Sequence, residues 1–121
     1  MIRSISKIIL AVTLIAQTNT CKKDNAKINA PDCILAKIES IKKEDVWNPP
    51  AKVYEYDYKG QKVYYIPSRC CDIPSVLYDS NCQAICSPDG GFTGKGDGKC
   101  SDFFERRKNE RLVWQDERKY Q

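Results

Sequence analysis

The sequence predicts one α+β domain, an N-terminal helix packed on a small antiparallel sheet, carrying a Gly-rich loop stapled by disulfides. Three observations carry this reading. Ile34, Ile38 and Ile41 stand at helical spacing and make one apolar stripe. Two alternating runs, VYEYDY and QKVYYI, flank Lys59-Gly60 as the strands of a hairpin flank a two-residue turn. Five of the seven cysteines and five of the six glycines fall between Cys70 and Cys100, where Pro74, Pro88 and the glycines at 90, 91, 94, 96 and 98 interrupt any helix or long strand.

Taken in order, the chain opens on a cationic segment with Arg3 and Lys7, then an apolar run from Ile8 to Ala16. That run is far shorter than the ~20 residues a bilayer demands, so residues 1–20 are expected to be a signal peptide and the protein to be exported. The cysteine count is odd, and Cys21 stands alone just past the apolar run, followed by Lys22-Lys23-Asp24-Asn25. A lipid on Cys21 leaves Cys33, Cys70, Cys71, Cys82, Cys86 and Cys100 to form three disulfides with none over. Thr18-Asn19-Thr20 departs from the lipobox pattern of an aliphatic residue three before the cysteine and a small one just before it. Ordinary cleavage with a free thiol at Cys21 is the alternative. Residues 21–31 are polar without apolar period and read as a flexible tether; residues 32–121 form the domain.

Pro31 and Asp32 start a helix over Asp32 to Glu44, and Pro49-Pro50 prevents its continuation beyond Trp47. Pairing Tyr58 with Gln61 in the hairpin puts Tyr56 opposite Val63 and Tyr54 opposite Tyr65. The helix stripe is expected to cover this face, leaving the face of Glu55, Asp57, Lys62 and Tyr64 to water. The tyrosines of the hairpin suit a half-buried strand better than a stacking platform for sugars or bases. Near the end, Ser101 or Asp102 can cap a short helix through Phe103, Phe104 and Arg107. Leu112-Val113-Trp114 reads as a third strand beside the hairpin, since two strands alone are marginal. Arg106, Arg107, Lys108, Arg111, Arg118 and Lys119 alternate with Glu105, Glu110, Asp116 and Glu117, a pattern expected of a solvated mixed-charge face.

Composition narrows the chemistry. A chain of 121 residues holds one domain, and loss of a leader leaves a core small enough that covalent staples matter. The net charge of +4 falls by the two leader cations to +2, too little to imply nucleic acid or an anionic surface as partner. There is no histidine, which removes Ser-His-Asp and Cys-His nucleophilic machinery, HExxH metal sites and His-based acid/base steps. No GxSxG is present, and Gly94-Lys95 and Gly98-Lys99 lack the upstream glycine and following Ser or Thr of a P-loop. The chain is therefore expected not to be an enzyme. Four thiolates around zinc, from Cys70-Cys71 and Cys82-x3-Cys86, fit an exported chain less well than disulfides do. Six cysteines allow 15 pairings, and those joining the neighbours Cys70 and Cys71 are set aside as strained. No cofactor is expected, although Asp79, Asn81, Asp89 and Asp97 in the cross-linked loop offer oxygens of the kind calcium takes. The same residues also serve turns. As a contact surface the loop offers Asp89, Phe92, Thr93, Lys95 and Asp97, because exposed loops on a rigid base commonly carry recognition.

The segments WNPP at 47–50, VYEYDY, GQKVYY, CCDIPSVLYD, Cys82-x3-Cys86 and SPDGGFTGKGDGKC resemble a small family of exported bacterial proteins, predicted lipoproteins of the Bacteroidota type with no assigned activity. The resemblance spans about residues 33–118. CKKDN at the start of the tether is similar to the charged export signal of surface-displayed lipoproteins in that group. A lipid, a polar tether and a rigid disulfide-held loop, in a chain without histidine, are expected to make a non-catalytic binding or structural module of the cell envelope, in the outer membrane through its lipid only, with an unknown protein or envelope ligand as partner. Tyr78-Asp79, Cys82, Cys86 and Pro88-Asp89-Gly90 also resemble Kazal-type protease inhibitors in outline. That likeness implies a secreted inhibitor using the loop between Cys86 and Cys100, although the cysteine order departs from the Kazal pattern.

Overall fold

The computed structural model describes residues 26–70 and 72–121. The expected leader and Cys21 lie outside the described residues, as does Cys71. The helix α1 spans Asp32–Lys42, followed by the strands β1 (Lys52–Tyr58), β2 (Gln61–Ile66), β3 (Val76–Asp79) and β4 (Ala84–Cys86), the short helix α2 (Phe103–Arg106) and the strand β5 (Lys108–Gln115). The strands form one antiparallel sheet in the order β4-β3-β2-β1-β5.

The hairpin forms in the expected register, Tyr54 opposite Tyr65, Tyr56 opposite Val63 and Tyr58 opposite Gln61. Lys59 and Gly60 both take positive φ, 48° and 78°, the turn whose twist matches that of the flanking strands. The expected third strand is β5 on β1, longer than the Leu112-Val113-Trp114 core. Two bulges interrupt its pairing, and Asn109 at φ 53° lies within the second, donating from its side-chain amide to Asp57 at 2.6 Å. Inside the cysteine-rich stretch two short strands, β3 and β4, extend the meander beyond the hairpin.

The helix covers the opposite face from the one expected. Its Ile34 and Ile38 are fully buried and cluster with Val53 and Tyr64, so Tyr64, expected in water, is only 4% exposed. The face of Tyr56, Tyr58, Val63 and Tyr65 packs instead beneath α2, around Phe103, Leu77, Cys86 and Cys100. Both faces of the sheet are thus covered, and the physical reason is area: β1 and β2 alternate two sets of large side chains, and each set needs its own cover. Phe103 is 0% exposed and sits amid Tyr56, Tyr58, Tyr65 and Phe104 with ring centroids 5.1 to 5.6 Å away, the separations of favourable aromatic pairs. Asp102 precedes α2 but makes no side-chain cap to it; its carboxylate accepts from the Tyr58 hydroxyl at 2.5 Å.

The tail is not simply a solvated mixed-charge face. Arg111 reaches the buried Glu55 with Nη2 at 2.7 Å and Nε at 3.3 Å, and Arg107 lies over the rings of Phe104 and Tyr56 at 4.8 and 5.0 Å. Asp116 is 3% exposed and orients Arg118 through both carboxylate oxygens. Arg118 then donates to the carbonyls of Lys42 and Glu44 at 3.0 Å each, satisfying acceptors left open at the end of α1. One arginine fastens the C-terminal tail to the first helix.

Two disulfides join described cysteines, Cys33–Cys82 and Cys86–Cys100. The first ties α1 to the β3–β4 turn and the second closes the Gly-rich loop. Cys70 is also disulfide-bonded.

Candidate functional site

The loop between Cys86 and Cys100 is compact and braced. Its backbone folds on itself, with the Gly90 N–H donating to Gly94, Gly94 to Gly91 and Gly96 to Gly90. Close approach dictates the glycines at two points. A Cβ at position 96 would sit 1.8 Å from the Ser87 carbonyl oxygen, and one at position 90 would sit 2.6 Å from that of Ile73.

Asp89 does not point a free carboxylate at solvent. It accepts from the Tyr65 hydroxyl at 2.8 Å and from the Ser75 hydroxyl, while the Asp89 N–H donates back to Ser75 Oγ at 3.2 Å. Ser75 is 1% exposed, so this brace ties the loop to β2 and the start of β3. Burial first, and then the bond to Asp89, hold the Tyr65 phenol far above its ordinary value. Asp97 accepts from the Lys99 N–H at 3.0 Å, and that bond leads the causes that lower its carboxyl. Asp79 accepts from the N–H groups of Asn81 and Gln83 at 2.9 Å each. The candidate calcium ligands therefore serve three separate turns or braces, and among the described residues no three acidic or cysteine side chains gather around one point.

Of the five loop residues expected at a contact surface, Asp89 is a brace and Asp97 shapes a turn. Phe92, Thr93 and Lys95 are exposed together at the tip, with Thr93 Oγ1 accepting from the Lys95 N–H at 3.3 Å. Phe92 is 95% exposed.

A domain of unknown function, DUF6970, matches residues 39–116. The chain belongs to this family. No curated protein and no solved structure matches the chain. The DUF6970 match takes in the whole sheet, the braced loop and Asp116, whereas Cys33 and Arg118, which fasten the helix from either end of the chain, lie outside it. The match agrees with the expected membership of an uncharacterised family. Among the described residues no helix of this DUF6970 protein is long and apolar enough to cross a membrane.

A second concavity, of about 310 Å³, lies between α1 and the β2–β3 connection. Ile41, Trp47, Ile66, Ile73, Val76 and Tyr78 line it, with Lys37, Ser40, Glu44, Ser68 and Arg69 as its charged and hydroxyl groups. Trp47 donates its indole N–H to Glu44 at 2.9 Å, and Arg69 lies over the Trp47 ring and 3.6 Å from the same carboxylate. Sequence reading passed over this groove. Its residues are scattered from 37 to 78 and share no motif; the only forward signal was WNPP, an aromatic followed by a helix stop.

Proposed function

We propose that this DUF6970 protein is an exported, non-catalytic binding module of a bacterial cell envelope, of the Bacteroidota lipoprotein kind. In this reading a lipid on Cys21 anchors it in the outer membrane through the polar tether, whose last part is docked on the domain, Ile28 and Ala30 packing against the helix-side core and the Asn29 carbonyl accepting from Arg111, and the tip formed by Phe92, Thr93 and Lys95 meets a protein or other envelope ligand. The observation that carries the reading is Phe92, 95% exposed on a loop fixed at its base by the Cys86–Cys100 bond and the Asp89 brace. Burying a phenylalanine on contact gains ~1.5–3 kcal/mol, and a rigid loop adds little ordering cost to the association. The disulfides suit an oxidising compartment, and a chain without histidine lacks the commonest acid/base group of enzymes. Folded on its own turns, the loop offers a protease no extended strand, so the inhibitor alternative gains no support from its shape.

The test is capture from an envelope fraction on immobilised residues 22–121, comparing the native sequence with Phe92→Ala and Lys95→Ala. Partners retained by the native domain and lost with Phe92→Ala support the reading; identical sets on all three remove the loop tip as the contact. Intact mass of the exported protein reports on Cys21, where an unacylated residue removes the anchor.

A further inference from the structure

We propose that the groove between α1 and the β2–β3 connection binds a small carboxylate with an apolar tail, its carboxylate on Lys37 and Ser40 and its tail on Ile41, Ile66, Ile73 and Val76. The proposal stands apart from the loop tip and its partner. A concavity of about 310 Å³ is at the lower end of the size range of small-ligand pockets, which combine an apolar lining with a few polar groups that fix orientation. That is the lining here.

The charge of the groove selects the ligand. Glu44 is already answered by the Trp47 N–H and by Arg69. Lys37 has no carboxylate partner among the described residues, and its Nζ lies 4.2 Å from the centre of the Tyr78 ring. The groove therefore carries one unanswered positive charge. Ser40 stands three residues on along the same helix, a spacing that makes side chains neighbours. Its hydroxyl likewise has no protein partner among the described residues, so ammonium and hydroxyl form a two-point donor set for one carboxylate. The aromatic faces are less available. Lys37 lies over Tyr78 and Arg69 over Trp47, which disfavours the open aromatic platform that a neutral sugar stacks on. Ile73, 48% exposed, is held by the Ile73 N–H bond to the Cys70 carbonyl at 2.9 Å and gives the tail an apolar contact.

Calorimetric titration of the domain of residues 22–121 with octanoate, and with octanol as the uncharged analogue, tests this. Octanoate is expected to bind saturably with one site, octanol at least about tenfold more weakly, because a charge-assisted hydrogen bond is worth about one such factor or more. Lys37→Met, which keeps the stem over Tyr78 and removes the charge, should weaken octanoate by a similar factor and leave octanol unchanged. Ile73→Asp, at an exposed position on the other side of the groove, should abolish octanoate binding and serves the same end should Lys37→Met fold poorly. Phe92→Ala should bind octanoate as the native domain does. No saturable octanoate binding, equal binding of octanol, or native affinity in Lys37→Met or in Ile73→Asp would each overturn the proposal.

Discussion

The Tyr65 hydroxyl, on the second strand of the sheet, donates to the carboxylate of Asp89 in the Gly-rich loop at 2.8 Å. A loop with little apolar content of its own is thereby registered on the sheet by a polar brace, completed by Ser75 and closed by the Cys86–Cys100 bond. Removing the acceptor leaves two hydroxyls in a partly buried site without their partner. Asp89→Ala is expected to lower stability by ~1–3 kcal/mol and to open the loop to proteolysis, whereas Thr93→Ala, at the exposed tip, should do neither. Urea unfolding and limited proteolysis, with cleavage mapped between Cys86 and Cys100, report the two effects.

The two phenylalanines nearest the loop separate packing from display. Phe103 is fully buried at the centre of an aromatic cluster and Phe92 is almost wholly exposed. Phe103→Ala should cost ~3–5 kcal/mol through lost burial and a residual cavity, and Phe92→Ala should fall within ~0.5 kcal/mol of the native protein. Thermal or urea melts decide this. A large loss in Phe92→Ala would mean that the tip is packed against the domain.

Glu55, Tyr64 and Arg111 set a pH window. The bond from Arg111 is the largest influence on Glu55 and outweighs its burial, so its carboxyl lies below the ordinary value of 4.5. Burial, with the bond to Glu55 second, pushes Tyr64 up to about 12. A depressed carboxyl contributes stability that is complete above its unfolded value and is lost as pH falls through the folded one; a raised phenol contributes stability complete below its unfolded value and lost as pH rises towards about 12. Stability should therefore be flat between these limits and fall on both sides. Arg111→Met leaves the Glu55 carboxylate with the Tyr64 hydroxyl at 3.0 Å and the Lys62 ammonium at 3.6 Å but without its strongest donor, which should cost ~1–3 kcal/mol at neutral pH and move the acid limb upward. Denaturant midpoints followed across pH test the shape.

At positions 96 and 98 glycine is present for different reasons. Both take positive φ, 67° and 77°, yet only at position 96 would a Cβ collide with backbone; nothing lies within 4 Å at position 98. Gly98→Ala should cost ~1–2 kcal/mol, the left-handed penalty alone, and Gly96→Ala should displace the Ser87 carbonyl and cost more. A comparison of melting temperatures resolves them, and equal losses would show that the loop yields at Ser87.

The hairpin and α1 could be read from the sequence because their information is local. Alternation around Lys59-Gly60 admits one register, found as expected, and the isoleucine spacing admits one buried helix stripe, also found. Other features depended on contacts between residues distant in the chain. Alternation sorts side chains into two faces but does not say which element covers each, and here both faces are large enough to demand cover, so α1 took Val53 and Tyr64 and α2 took the tyrosine face. Strands of three or four residues such as β4 and β3 carry too short a period to be seen and exist because β2 offers an edge to pair with. In the loop, Phe92 and Asp89 look alike as candidates until the fold turns one to water and the other to Tyr65. Arg118 in the tail and Lys37 above the groove were merely charges in the chain; packing gave the first the open carbonyls of α1 and left the second without a counter-ion.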